Sequence, residues 1–301
     1  MNLIFGLAEN ILQTGCVYGI MAMGVYITYK ILGFPDLSVD GTFPLGACVA
    51  AALITAGVDP YIACAAAFLC GAAAGAVTGL MHVKLKITDL LSGIIMMTGL
   101  ITVNLAATGG SSILPFYNMP TIFNSGLVTL LPAAIYEHRA VLISVLIALI
   151  VKLMLDWFLK TKQGLLLRAV GNNARYVTYL AEDQGRMKIL GLAIGNGCTA
   201  FSGCIYAQQA ESASSGSGAG MVVLALASVI IGTNLFRRVR FMKATTMAVL
   251  GAVLYQACLT VAMQLRLPTN YLKLLMAVLL MAALLSNRLA KKGGAADVTE
   301  R

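Results

Sequence analysis

Charge is what this chain has least of. Of its 301 residues 11% are charged, where a soluble domain carries about a quarter, and the mean hydropathy is +0.86. So little charge leaves a surface suited to lipid. Signatures of nucleotide chemistry and hydrolysis are also missing. There is no GxxxxGK[ST], so the chain itself is not expected to bind or hydrolyse ATP, and no GxSxG, HExxH or EF-hand spacing occurs. The seven cysteines (Cys16, Cys48, Cys64, Cys70, Cys198, Cys204, Cys258) lie in apolar segments without CxxC spacing. They read as small packing residues, with no disulfide and no metal site expected. The N-terminus lacks a short apolar run followed by a small-residue cleavage site, so no removable leader is expected.

Long apolar runs are what the chain has instead. About 20 apolar residues span a bilayer. By that measure the spans are Ile11–Leu32, Tyr61–Val83, Leu90–Thr108, Ala140–Leu159, Met187–Ala210, Met221–Phe236, Ala244–Leu265 and Tyr271–Asn287, with a shorter ninth segment at Leu45–Gly57. The expected fold is an all-α integral membrane protein of about nine transmembrane helices, one of them discontinuous. Residues 1–290 form a single transmembrane domain and 291–301 a frayed polar tail. The net charge of +9 could suggest nucleic acid, but its placement argues otherwise. Lys84 and Lys86, the stretch 160–188, Arg237 to Lys243, and Arg288 to Lys292 all fall on one face of the alternation. That positive-inside pattern puts the C-terminus in the cytoplasm and, with nine crossings, the N-terminus outside. The external loop Gly109–Arg139, with Pro115, Pro120 and Pro132, reads as a short interfacial helix plus turns and a surface for an external partner. His82 and His138 lie at opposite ends of the spans and read as interfacial.

Two stretches interrupt the apolar pattern. In Gly33–Pro44, Pro35, Gly41 and Pro44 break the helix, and Asp36 and Asp40 bring carboxylates to membrane depth. Irregular backbone there is tolerated only when buried in protein or lining a cavity. Pro44 suits the first residue of a half-helix running to Gly57. Intramembrane carboxylates are functional by default, so Asp36 and Asp40 either line a pathway or cap the broken helix through N–H groups near Thr42 and Phe43. The second interruption, Glu211–Gly220, includes Ser215 and Gly218 and also precedes a short apolar helix. With four segments on each side of a central fifth, the breaks suggest an inverted repeat and mark a transport pathway. Gly71, Gly75 and Gly79 make two GxxxG steps, read as helix packing and as a candidate dimer face. A long basic loop, 160–188, carries Lys160, Lys162, Arg168, Arg175, Arg186 and Lys188 against Glu182 and Asp183. Two short helices are expected in it, Leu165–Ala169 and Ala174–Ala181, joined at Gly171–Asn173, with Asn173 capping the second. The loop reads as a rigid cytoplasmic docking element.

The pattern Thr161-x-x-Gly164-x-x-x-Arg168-Ala169-x-Gly171-x-Asn173 resembles the coupling loop of the permeases of ATP-binding cassette importers of the branched-chain amino acid/ribose type. Phe34-Pro-Asp-Leu-Ser-Val-Asp-Gly-Thr-Phe-Pro-Leu-Gly46 is closer still to the subgroup associated with tryptophan/tyrosine-type substrate-binding proteins, as are Thr78-Gly79-Leu80, Leu91–Ile94 and Ala227–Gly232. Ala174 and Ala181 depart from the family pattern, and Ser212–Gly220 lacks an Asp often found there. The resemblance implies a multi-pass permease of the bacterial inner membrane, used as a homodimer. It implies an ATP-binding subunit, holding ATP and Mg, docked on the loop that includes Arg175, and an external substrate-binding protein. The implied cargo is a small nutrient, an amino acid and in particular an aromatic one, with a sugar or nucleoside as the alternative. A secondary transporter using Asp36 or Asp40 as an ion site remains a reading from another class.

Overall fold

The computed structural model describes residues 2–126, 138–172, 183–237 and 241–264, with isolated positions at 177, 239 and between 271 and 285. Among these the chain is helical apart from one small ribbon. The elements are α1 (Asn2–Val25), α2 (Val39–Thr55), α3 (Pro60–Lys84), α4 (Asp89–Ala107), β1 (Ile113–Pro115), α5 (Arg139–Phe158), α6 (Lys162–Asn172), α7 (Gln184–Ala210), β2 (Ser212–Ser214), α8 (Met221–Leu235) and α9 (Ala244–Gln264). Among the described residues six helices are long and apolar enough to cross a membrane, and α2 and α8 are shorter apolar helices. The expected ninth span, Tyr271–Asn287, falls mostly outside the described residues.

Local chemistry sets the helix limits. Asp59 caps α3 by accepting from Tyr61 N at 2.8 Å, with Pro60 at the first helical position. Asp183 caps α7 through Gly185 N and Arg186 N, and α7 ends on left-handed Glu211. The first helix begins nine residues before the expected Ile11, and its last turn, Tyr26–Ile31, is a π-turn. In its extra N-terminal turns the Glu9 carboxylate lies 2.6 Å from His138 Nδ1. The stretch Gly109–Arg139 is described up to Gly126 and from His138, and it contains a short strand: β1 pairs antiparallel with β2, Ile113 opposite Ser214.

The half-helix expected at Leu45–Gly57 is longer. It starts at Val39, and Pro44 lies inside it as the sixth residue, not the first. A proline here leaves the Asp40 carbonyl without its helical donor. That carbonyl is covered instead by the backbone at Gly218, where a Cβ would collide with it. The proline is tolerated because a second segment packs over the gap it makes.

Helix α7 is the hub. It packs on α1, α2 and α3, while α1 also packs on α8 and α9 and α2 on α3 and α8. Glycines set the approach of α3 to α7: a Cβ at Gly71 would meet Asn196 O and Ala200, one at Gly75 Leu192 O, and one at Gly79 Ile189. The GxxxG face is therefore turned inward, onto this chain's own α7. Helices α4 and α5 bury only 22% of their apolar windows, against 67% for α7, so they present the outward surface.

Candidate functional site

The two interrupted stretches meet at Asp40, and the first of them is tied to Asn196, the thirteenth residue of the 27 in α7. In a helix of about 40 Å that is the middle. Four buried polar side chains gather there. Asp36 is 5% exposed, and Ser38, Thr42 and Asn196 are 0% exposed.

Asp36 accepts from Ser38 N at 2.8 Å, Ser38 Oγ at 2.6 Å and Asn196 Nδ2 at 2.6 Å. Asn196 gives its second amide hydrogen to Leu192 O and accepts from Thr42 Oγ1 at 2.8 Å through Oδ1. Such groups are costly unless paired, and here each finds a partner. Asp36 thus closes the turn that starts α2 and ties it to α7. Pro35 lies in the irregular approach to this turn, which Phe34 N anchors on Thr28 O.

Asp40 acts elsewhere. The sequence reading offered it as a cap for its own helix. Its carboxylate instead accepts from Gly220 N at 3.2 Å and Val222 N at 2.7 Å, the first turn of α8. Gly220 is left-handed, with φ 94°, and supplies no side chain. The cap comes in trans, from a residue 180 positions away, and the positive end of the α8 dipole favours the carboxylate. Gly41 faces Leu100 and Met97 of α4 at close range, and Asn104 Nδ2 donates to Gly41 O at 3.1 Å. Ser215 stands apart, at the ribbon, with Ser215 N on Ser112 O.

The basic stretch 160–188 forms one described helix, α6, which Thr161 starts by accepting from Gly164 N. Gly171 and Asn172 belong to that helix rather than to a hinge, a second correction. Gly164, Leu166, Leu167 and Val170 are buried, while Leu165 and Arg168 are exposed. Asn173, Arg175 and all of the expected second helix but Val177 lie outside the described residues. Gly171 abuts Ile31 O so closely that no Cβ fits. The residues of α6 thus lie apart from Asp36 and Asp40, joined to them through Ile31 and the five-residue run to Asp36. Asn196 and Asn104 were missed from sequence. A lone Asn inside an apolar run was the available signal.

The sequence profile of the family described as branched-chain amino acid transport system / permease component matches residues 7–284. The tyrosine transport system permease protein of Clostridioides difficile strain R20291 is 39% identical over 280 residues, covering 93% of this chain and 91% of that protein. The ribose import permease protein of Escherichia coli K12 is 28% identical over 229 residues, covering 74% and 68%. The D-allose transport system permease protein of the same strain is 28% identical over 220 residues, covering 72% and 64%. No solved structure matches the chain.

Proposed function

Because this chain belongs to the family of branched-chain amino acid transport system permease components, and is the permease component of an ATP-binding cassette system in the bacterial inner membrane, we propose that it forms the import pathway for an amino acid of the aromatic type. The observation that carries the pathway is the meeting of two broken segments, with Asp40 of one capping the helix that follows the other. The 39% identity to a permease named for tyrosine favours the amino acid. A sugar is the second reading, supported by the 28% identity to the ribose permease.

The orientation follows the basic loops: N-terminus outside, α6 and the C-terminus in the cytoplasm, nine crossings in all, with residues 1–290 as one transmembrane unit. Packing supports an inverted repeat. α1 packs on α9 as α7 packs on α3, and α2 packs on α7 as α8 packs on α1. An ATP-binding subunit, carrying ATP and Mg, docks on the exposed face of α6 at Leu165 and Arg168, and two copies of the permease enclose the pathway. A substrate-binding protein delivers cargo to the outer ribbon. Docking is transmitted from Gly171 to Ile31 and so to the turn at Asp36. It shifts the population only if the ATPase binds one permease state more tightly than the other.

Reconstitution with the partner ATPase and binding protein tests this. ATPase rate should rise when the binding protein carries an aromatic amino acid. Stimulation by a sugar instead would select the second reading. Uptake driven by an ion gradient without ATP would replace both with a secondary transporter.

A further inference from the structure

A cluster of cations near α6 shares Arg168 with the proposed docking face, and its lysines have no role in the pathway just described. Lys160, Arg168 and Lys243, with Tyr26, Thr245 and Ala244, line a cavity of about 260 Å³ between the π-turn and the ends of α5, α6 and α9. A neighbouring cavity of about 460 Å³ shares Tyr26, Arg168 and Ala244 and adds Lys30, Gly171 and Asn172. The four cationic residues are all exposed. Asp156 is the one carboxylate among the residues lining either cavity, and it is already engaged. It takes Lys243 Nζ at 2.9 Å, Lys152 Nζ at 3.3 Å and Thr245 Oγ1 at 2.6 Å. That clamp fixes Lys243 while leaving Lys30, Lys160 and Arg168 with no facing anion among the described lining residues.

Two further features point the same way. Ala244 is the first residue of the 21-residue α9, so the free N–H groups of a helix start border both cavities. The π-turn puts both Tyr26 and Lys30 on the cavity walls, and π-turns recur at functional sites. Each water occupies about 30 Å³ in the liquid, so an oxyanion of several heavy atoms fits the smaller cavity. Basic pockets between transmembrane helices on this side of a bilayer suit phosphate headgroups.

We propose that this cavity binds a phosphate-bearing anion, which bridges Arg168 of the coupling helix to Lys30, Lys160 and the start of α9. The bound anion would hold α6 against the membrane core, setting how stiffly a push on α6 reaches Ile31. The site does not depend on which nutrient is carried, and its test reads occupancy rather than transport.

The test is lysine footprinting on the full chain, purified in an uncharged maltoside that lacks phosphate. Acylation of Lys30 and Lys160 is timed by mass spectrometry, with Lys84 and Lys86 as exposed lysines outside the cavity. Addition of phosphatidylglycerol, or separately of inorganic phosphate, should slow Lys30 and Lys160 by about tenfold at saturation and leave Lys84 and Lys86 within about twofold, a contrast of roughly 1 kcal/mol. Protection by the lipid alone identifies a headgroup, and protection by inorganic phosphate identifies a soluble anion. Arg168→Gln, at an exposed helix position, should abolish the protection. No protection, equal slowing of all four lysines, or protection undiminished in Arg168→Gln would each overturn the proposal.

Discussion

The two breaks in the helical framework are built differently, although each delivers the chain to the first turn of a short helix. The stretch before α2 closes itself: Asp36 caps the turn two residues on and fastens it to α7 through Asn196. The stretch before α8 brings only glycine and main chain to its helix start, and the acceptor arrives from Asp40 on α2. One break is self-sufficient and the other borrows. Any motion that draws α2 away from α8 therefore uncaps α8, while the turn at Asp36 that precedes α2 keeps its own bonds, which makes Asp40 the latch between the two segments.

The largest effect should come from breaking the self-sufficient side. Asp36→Ala removes the acceptor of three donors in a fully enclosed site, and each unmade bond costs about 1–3 kcal/mol. A loss of about 3 kcal/mol or more is expected, seen as a lowered unfolding midpoint of the purified chain. Asp36→Asn should recover part of it, since the amide oxygen still accepts from Ser38 N. Unchanged stability of Asp36→Ala would remove the closed cap on which the comparison rests.

Asp40→Ala should cost less, about 2–3 kcal/mol for two main-chain donors, and its damage should be lopsided. Hydrogen exchange is expected to quicken at Gly220 to Val222 by at least about tenfold, with Val39 to Thr42 nearly unaffected. Equal quickening in both helices would mean that α2 depends on α8 as much as α8 on α2, and the asymmetry would be lost.

Much of this was readable in the sequence, and the misses share one cause. The charge deficit and the alternation of basic loops announce a polytopic helical protein, and Pro35, Gly41 and Pro44 mark the first break. The beginning of α2 was misplaced because Pro44 is a good first helical residue by local rules. Its tolerance inside the helix depends on Gly218, far along the chain. The same holds for Asp40, whose partners are 180 and 182 residues distant, and for Asn196, whose amide is needed by a carboxylate 160 residues away. Gly71, Gly75 and Gly79 announce close packing but not its partner, since a small-residue face fits a neighbour in the same chain or another alike. Local pattern shows where the backbone must break, and long-range pairing decides what repairs it.

The smallest expected effect is the sharpest test of how the self-sufficient break is tied to α7. Thr42 Oγ1 has one hydrogen and three acceptors in reach: Asn196 Oδ1 at 2.8 Å, Ser38 O at 3.2 Å and Val39 O at 3.4 Å. The shortest takes it. Ser38 Oγ lies 3.1 Å from the same Asn196 oxygen but 2.6 Å from Asp36, so its hydrogen is committed to the carboxylate. Thr42→Val keeps the shape and leaves Asn196 Oδ1 without a donor, for an expected loss of about 1 kcal/mol. If Asn196 relays between the hydroxyl and the carboxylate, freeing its oxygen loosens its amide on Asp36 as well. Combining Thr42→Val with Asp36→Asn should then deviate from additivity by about 0.5 kcal/mol or more in unfolding free energy. Additive losses would mean that Asn196 serves each neighbour separately, and that α2 is held to α7 by two independent bonds rather than by one connected network.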